Sequence, residues 1–144
     1  MMIWFDMDGT IADLYGVDGW LDYIRNEDAK PYEIAKVLVN MNSFARIVNN
    51  LQRKGHQIGI ISWTAKNGSA AYNEAVAAAK RKWLARHLAS VQFDAIEIRP
   101  YGYNKSNIAS ANDVLFDDEE QNRENWIGSA YDVQNIIEIL KSLS

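Results

Sequence analysis

Two carboxylates two positions apart open the chemistry of this chain, in the run Asp6-Met7-Asp8-Gly9-Thr10. They follow the apolar stretch Met2–Phe5, so a continuing strand would put both side chains on one face with no countercharge. A cation is therefore expected beside them. Mg²⁺ takes hard oxygen ligands in near-octahedral geometry, and Asp6 with a carbonyl or carboxylate at Asp8 would supply two. A third carboxylate is then needed. Asp117-Asp118, which follows the apolar run Val114–Phe116, provides it, with Asp117 ahead of Asp118 as the direct ligand. Gly9 allows the chain to leave the strand sharply, and the Thr10 hydroxyl is suited to holding that turn.

Other phosphate and cation motifs fail on the same letters. A calcium loop starting at Asp6 requires glycine at its sixth position and glutamate at its twelfth, where the chain has Ile11 and Val17. A Walker loop before Lys105-Ser106 requires glycine where Asn104 stands, and its first glycine position is Arg99. No G-x-S-x-G elbow occurs. The chain has no cysteine, which excludes disulfides, thiol catalysis, cysteine-based zinc sites and iron–sulfur clusters.

The elements that must carry these residues follow from hydrophobic patterning. Apolar runs at 2–5, 58–61, 93–98 and 114–116 have strand length, and three of them scarcely alternate, as suits strands buried on both faces. Between them lie helical periods. Phe44, Ile47, Val48 and Leu51 form a stripe after a Ser43 cap and before Gly55. A longer helix over 69–88 aligns Tyr72, Val76, Ala79, Trp83 and His87, with Lys80-Arg81-Lys82 expected to face water. A last helix carries Val133, Ile136, Ile137, Leu140 and Leu143 behind an Asp132 cap, and 130–131 reads as a fifth strand. This alternation implies parallel βαβ units in a Rossmann-like, three-layer α/β fold with helices on both faces. Ligands gather at the carboxyl ends of such strands, which singles out Asp6, Ser62, Arg99 and Asp117. Residues 14–42 fit the alternation poorly. Short helical patterns at 20–24 and 32–39, split by polar 26–30, are expected to form a small cap-like insertion over the site of a single domain spanning 1–144.

In this order the residues resemble the haloacid dehalogenase-like hydrolase superfamily, most of whose members are phosphatases. Asp6-Met7-Asp8-Gly9-Thr10 is similar to its first motif, and Ile58-Gly59-Ile60-Ile61-Ser62 to its second. Lys105 in Asn104-Lys105-Ser106-Asn107-Ile108 best matches the third, and Val114-Leu115-Phe116-Asp117-Asp118 the fourth. The resemblance spans roughly residues 2–132. It implies a Mg²⁺-dependent phosphomonoester hydrolase in which Asp6 is the nucleophile and forms an aspartyl-phosphate. Asp8 would be the acid and base, and Ser62 with nearby amides would bind the phosphoryl oxygens. Lys105 and magnesium, held by Asp6, Asp8, Asp117 and Asp118, would offset the repulsion between carboxylate and phosphate. Gly9, Thr10, Ser62, Trp63 and Lys105 would then line the substrate.

The aromatic residues Tyr15, Trp20, Tyr23, Tyr32 and Trp63 suit either packing or stacking on a nucleobase, with Trp63 and Trp20 foremost for stacking. His56 and His87 read as structural. The expected substrate is a nucleotide or another small phosphorylated metabolite. A phosphorylated nucleic-acid end or phosphoprotein is the alternative, as is a non-catalytic phosphate- and magnesium-binding module. At 144 residues, 48% hydrophobic and 24% charged, the composition is that of a globular domain, and the net charge of −4 argues against a broad duplex-binding surface. No signal peptide or membrane-spanning run is evident, so a cytoplasmic protein is expected.

Overall fold

The computed structural model describes all 144 residues. Five parallel strands, β1 (Met2–Phe5), β4 (Gln57–Trp63), β5 (Ala95–Arg99), β6 (Val114–Phe116) and β7 (Ser129–Tyr131), form one sheet in the order β5-β4-β1-β6-β7. β1 lies at its centre, with Phe5 level with Ile60 on one side and Phe116 on the other. The Asp6 amide donates to the Phe116 carbonyl at 2.9 Å, which carries this pairing one residue past the strand. Every strand end therefore faces the same edge, the place where an open α/β sheet holds its ligands.

Side-chain alternation assigns the two faces. Ile3, Phe5, Ile58, Ile60, Val114 and Phe116 join one core with Phe44, Val48 and Leu51 of α3 (Met41–Arg53), Trp83 and Leu84 of α4 (Ala70–His87), and Ile136 and Leu140 of α6 (Ile136–Leu143). Phe5 anchors it, stacked on Phe116 at 5.2 Å and edge-on to Phe44 at 4.9 Å. Trp4, Ile61 and Leu115 point to the other face and pack with Trp126, which follows α5 (Glu120–Glu124), and with Ile108 and Ala109 beside the 3-10 turn Lys105–Ile108. The architecture is thus the three-layer α/β arrangement that the sequence implied. Buried Asp113 ties the second face together, accepting from the Met2 amide, the Ser110 amide and the Trp4 indole.

Helix ends differ in detail from the sequence reading. α4 begins as expected, with the Ser69 hydroxyl accepting from the Tyr72 amide at 3.1 Å. α3 starts three residues earlier than a Ser43 cap would allow, because Asn40 is the cap and accepts from the Ser43 amide at 3.0 Å. α6 starts at Ile136 with Asn135 before it, so Val133 precedes the helix, and Asp132, instead of capping it, accepts from the Val133 amide and lies 3.7 Å from Arg123.

Between β1 and α3 the chain forms a short strand β2 (Ala12–Asp13), α1 (Trp20–Arg25), α2 (Lys30–Ile34) and a short strand β3 (Lys36–Val37). The helical pattern over 32–39 stops at Ala35. Its carbonyl accepts from the buried Trp83 indole at 2.8 Å, and the next residues pair antiparallel with β2. No helix is long and apolar enough to cross a membrane.

Candidate active site

The loop after β1 is wound around one carbonyl: Met7 O accepts from the amides of Thr10, Ile11 and Ala12, each at 3.0 Å. That winding needs a positive φ at Gly9, +79°, and a Cβ there would run into the Asp118 carboxylate. The Gly9 amide is used within the loop, on the Ala12 carbonyl. The Thr10 hydroxyl lies 3.2 Å from Asp6 Oδ2 and 3.3 Å from Asp118 Oδ1, so its single proton serves one of the two at a time.

Each carboxylate of the Asp6/Asp8 pair has its own lysine. Lys105, 3% exposed, donates to Asp6 Oδ1 at 3.0 Å and to Asp117 Oδ2 at 2.7 Å. Burial acts to lower the Lys105 pKa, but the Asp6 and Asp117 charges outweigh it and hold it above its ordinary value. Lys105 opens a 3-10 turn rather than an α-helix, with the Asn104 side chain capping it through the Ser106 amide.

The second lysine is Lys80, which the sequence reading placed in water. It is 1% exposed and donates to Asp8 Oδ2 at 2.8 Å, Ser62 Oγ at 2.7 Å and the Trp63 carbonyl at 2.7 Å. Arg81 and Lys82 are exposed, the latter 3.9 Å from Glu33. The reason is helical phase: Val76, Ala79, Lys80 and Trp83 occupy i, i+3, i+4 and i+7, so Lys80 belongs to the buried stripe. That spacing was the signal available in the sequence. Burial raises the Asp8 carboxyl above the usual carboxylate range, while Lys80 opposes the rise.

Carboxylate oxygens of Asp6, Asp117 and Asp118 lie within 4.8 Å of one another. Three hard oxygen donors at this spacing fit Mg²⁺ or a similar hard cation. Burial, together with the Asp6 charge, pushes the carboxyls of Asp117 and Asp118 upward, as expected of an acidic cluster with too little positive charge. Asp117 is the more committed of the two. Its Oδ2 accepts from Lys105 and the Asn122 amide, and its Oδ1 from the Glu119 amide, leaving Asp118 with the Thr10 contact alone. Asp118 does not cap α5. Asp8 stands apart from the trio, turned to Lys80.

A cavity of about 680 Å³ opens at this edge, lined by Asp6, Asp8, Lys105 and Asn122 below aromatic walls of Tyr15, Trp20, Tyr32, Trp63, Tyr72 and Tyr101. Trp63 is fixed by its indole, which donates to the Tyr103 carbonyl at 2.9 Å, and by Tyr101 edge-on at 4.9 Å. Tyr23 is not among the lining residues. Ser62 is fully buried and does not line the cavity, its hydroxyl oxygen being occupied by Lys80. Arg99 ends β5 but turns to Glu97 and Tyr103. His56 and His87 lie outside the acidic trio, His87 against Trp83. Tyr72, Tyr101, Asn122 and Lys80 are the site residues that the sequence reading missed.

No family model matches the sequence, and no curated protein matches it. Solved structures do. One is the D,D-heptose 1,7-bisphosphate phosphatase from Burkholderia thailandensis, 9% identical, superposing with a TM-score of 0.56 over 99% of this chain and 97% of its own. At that identity the likeness carries the fold. The chain shares the fold of that phosphatase.

Proposed function

We propose that the protein is a Mg²⁺-dependent phosphomonoesterase working through Asp6. The observation that carries this reading is the Lys105 ammonium bridging Asp6 and Asp117 at the wall of the cavity, beside three carboxylates spaced for one cation. Phosphoryl transfer needs an in-line nucleophile, charge neutralisation and a proton for the leaving group. An Asp6 oxygen attacks phosphorus, the ester P–O bond breaks, and the departing oxygen takes a proton from Asp8. Water then attacks the aspartyl-phosphate, gives its proton to Asp8, and releases phosphate as the bond to Asp6 breaks. Lys105 holds Asp6 in place and offsets phosphate charge. Magnesium, when bound by Asp6, Asp118 and Asp117, would supply the remaining neutralisation of phosphoryl oxygens.

Residues 14–42 act in this reading as a small cap. Tyr15, Trp20 and Tyr32 from the cap and Trp63 and Tyr101 from the sheet edge favour a flat, apolar leaving group, such as a nucleoside. An aryl phosphate with Mg²⁺ tests the reaction, and hydrolysis is expected to disappear in Asp6→Asn. Turnover that survives this substitution removes Asp6 as nucleophile. A panel of mononucleotides, phosphorylated oligonucleotides and sugar phosphates tests the substrate, with mononucleotides expected to be fastest.

A further inference from the structure

Lys80 is the charged group in this molecule that needs the most explanation. A buried ammonium is costly to desolvate, and a methionine on the same stripe of α4 would pack against Val76 and Trp83 without that penalty. Its three protons meet three acceptors, the Ser62 hydroxyl, the Trp63 carbonyl and Asp8 Oδ2, so the ammonium has no rotational freedom left. Two of those acceptors belong to the rigid strand β4, and the third belongs to the cavity wall. Tyr32 closes the remaining side, its ring centre 5.2 Å from the nitrogen. The Oδ1 oxygen of Asp8 has no protein partner.

Resting on the phosphatase reading, we propose that Lys80 is a positioning residue: clamped by Ser62 and Trp63, it grips Asp8 by Oδ2 and reserves Oδ1 for proton exchange with the leaving group and with water. Because Lys80 can only donate, any proton carried by Asp8 sits on Oδ1. Ser62 then serves the site through the lysine. Asp8 is thereby fixed from a strand and a helix far from it in sequence, and its orientation does not depend solely on the turn that carries it.

The test uses leaving groups of different basicity. An alkyl phosphate needs a proton as it departs, and 2,4-dinitrophenyl phosphate does not. Lys80→Met is expected to lower kcat/KM, which reports only the steps through leaving-group departure, about 100-fold on the alkyl ester and less than about threefold on the dinitrophenyl ester, since general acid catalysis is worth about 10²–10⁴. Equal losses on both esters, or no loss on either, overturn the proposal. Adding Lys80→Met to an Asp8→Asn background, which leaves both side chains neutral and removes the unpaired buried charge, is expected to change alkyl turnover by less than about threefold. A further loss of about tenfold or more there also overturns it. Absence of turnover in the unsubstituted protein on both esters removes the phosphatase reading itself and the proposal with it.

Discussion

At the scale of single residues, the site separates two aspartates that are almost adjacent in sequence by giving each a different buried lysine. Lys105→Met leaves Asp6 and Asp117 facing each other without their shared cation. Breaking a buried pair from one side costs about 3–5 kcal/mol, so the melting temperature of the metal-free protein should fall markedly, and saturating Mg²⁺ should recover part of it. Calorimetry with and without Mg²⁺ checks this; an unchanged Tm would mean that Lys105 carries no such charge balance. Gly9→Ala should weaken Mg²⁺ binding as well as activity, because the added Cβ displaces the Asp118 carboxylate and the residue must hold φ at +79°. Titration calorimetry with Mg²⁺ reads that effect directly. Asp6, Asp117 and Asp118 could be read as a cluster from letters alone, because strand-end carboxylates in a parallel sheet converge. Lys80 was not legible as part of it, because a Lys-Arg-Lys run looks solvated unless each residue is placed on the helical wheel separately.

At the scale of elements, the cap-like segment is tied to the sheet-bound part by the packing of Leu14 and Tyr32 against Tyr72, Val76 and Ala79 and by a set of hydrogen bonds. Glu27, between α1 and α2, accepts from the Ser69 amide at 3.0 Å and from its hydroxyl at 2.6 Å, and the Tyr72 hydroxyl donates to the Asp28 carbonyl. Ser69 is also the cap of α4. Ser69→Ala should therefore destabilise the fold by about 1 kcal/mol through the lost cap. It should also increase proteolysis within residues 14–42, whereas Glu27→Gln should affect proteolysis with little change in stability. Limited proteolysis followed by mass spectrometry distinguishes the two variants. The parallel strands were legible because apolar runs of strand length need no tertiary information. The β2–β3 pair was not, since two-residue strands leave no periodicity and the Ala35 carbonyl is bonded to an indole 48 positions away.

At the scale of the whole molecule, the acidic cluster links stability to pH. The Asp118 carboxyl is pushed up to about 8 by burial and by its acidic neighbours, from an ordinary value near 3.8. A carboxyl raised in the folded state contributes stability that is present in full below the unfolded pKa and is lost as pH rises through the folded one. The metal-free protein is thus expected to lose stability between about pH 4 and 8, and added Mg²⁺ should raise Tm more at pH 8 than at pH 5. Thermal melts in chelator and in Mg²⁺ across this range check the sign. A metal-free protein that gains stability over the same interval would contradict it.

The central place of β1 also bears on how the protein reaches this state. Its sheet partners are β4 and β6, and the lysine that neutralises Asp6 lies 99 positions away in the chain. Closing loops of that length precedes any reward from the contacts they permit. Until the segment carrying Lys105 and β6 docks, Asp6 sits at the end of a strand paired on the β4 side alone, so a chain truncated before Lys105 carries Asp6 without its neutralising cation. On the proposed reading, the site is complete only once Lys105 and the end of β6 have reached β1, and a form of the protein that lacks them is chemically silent.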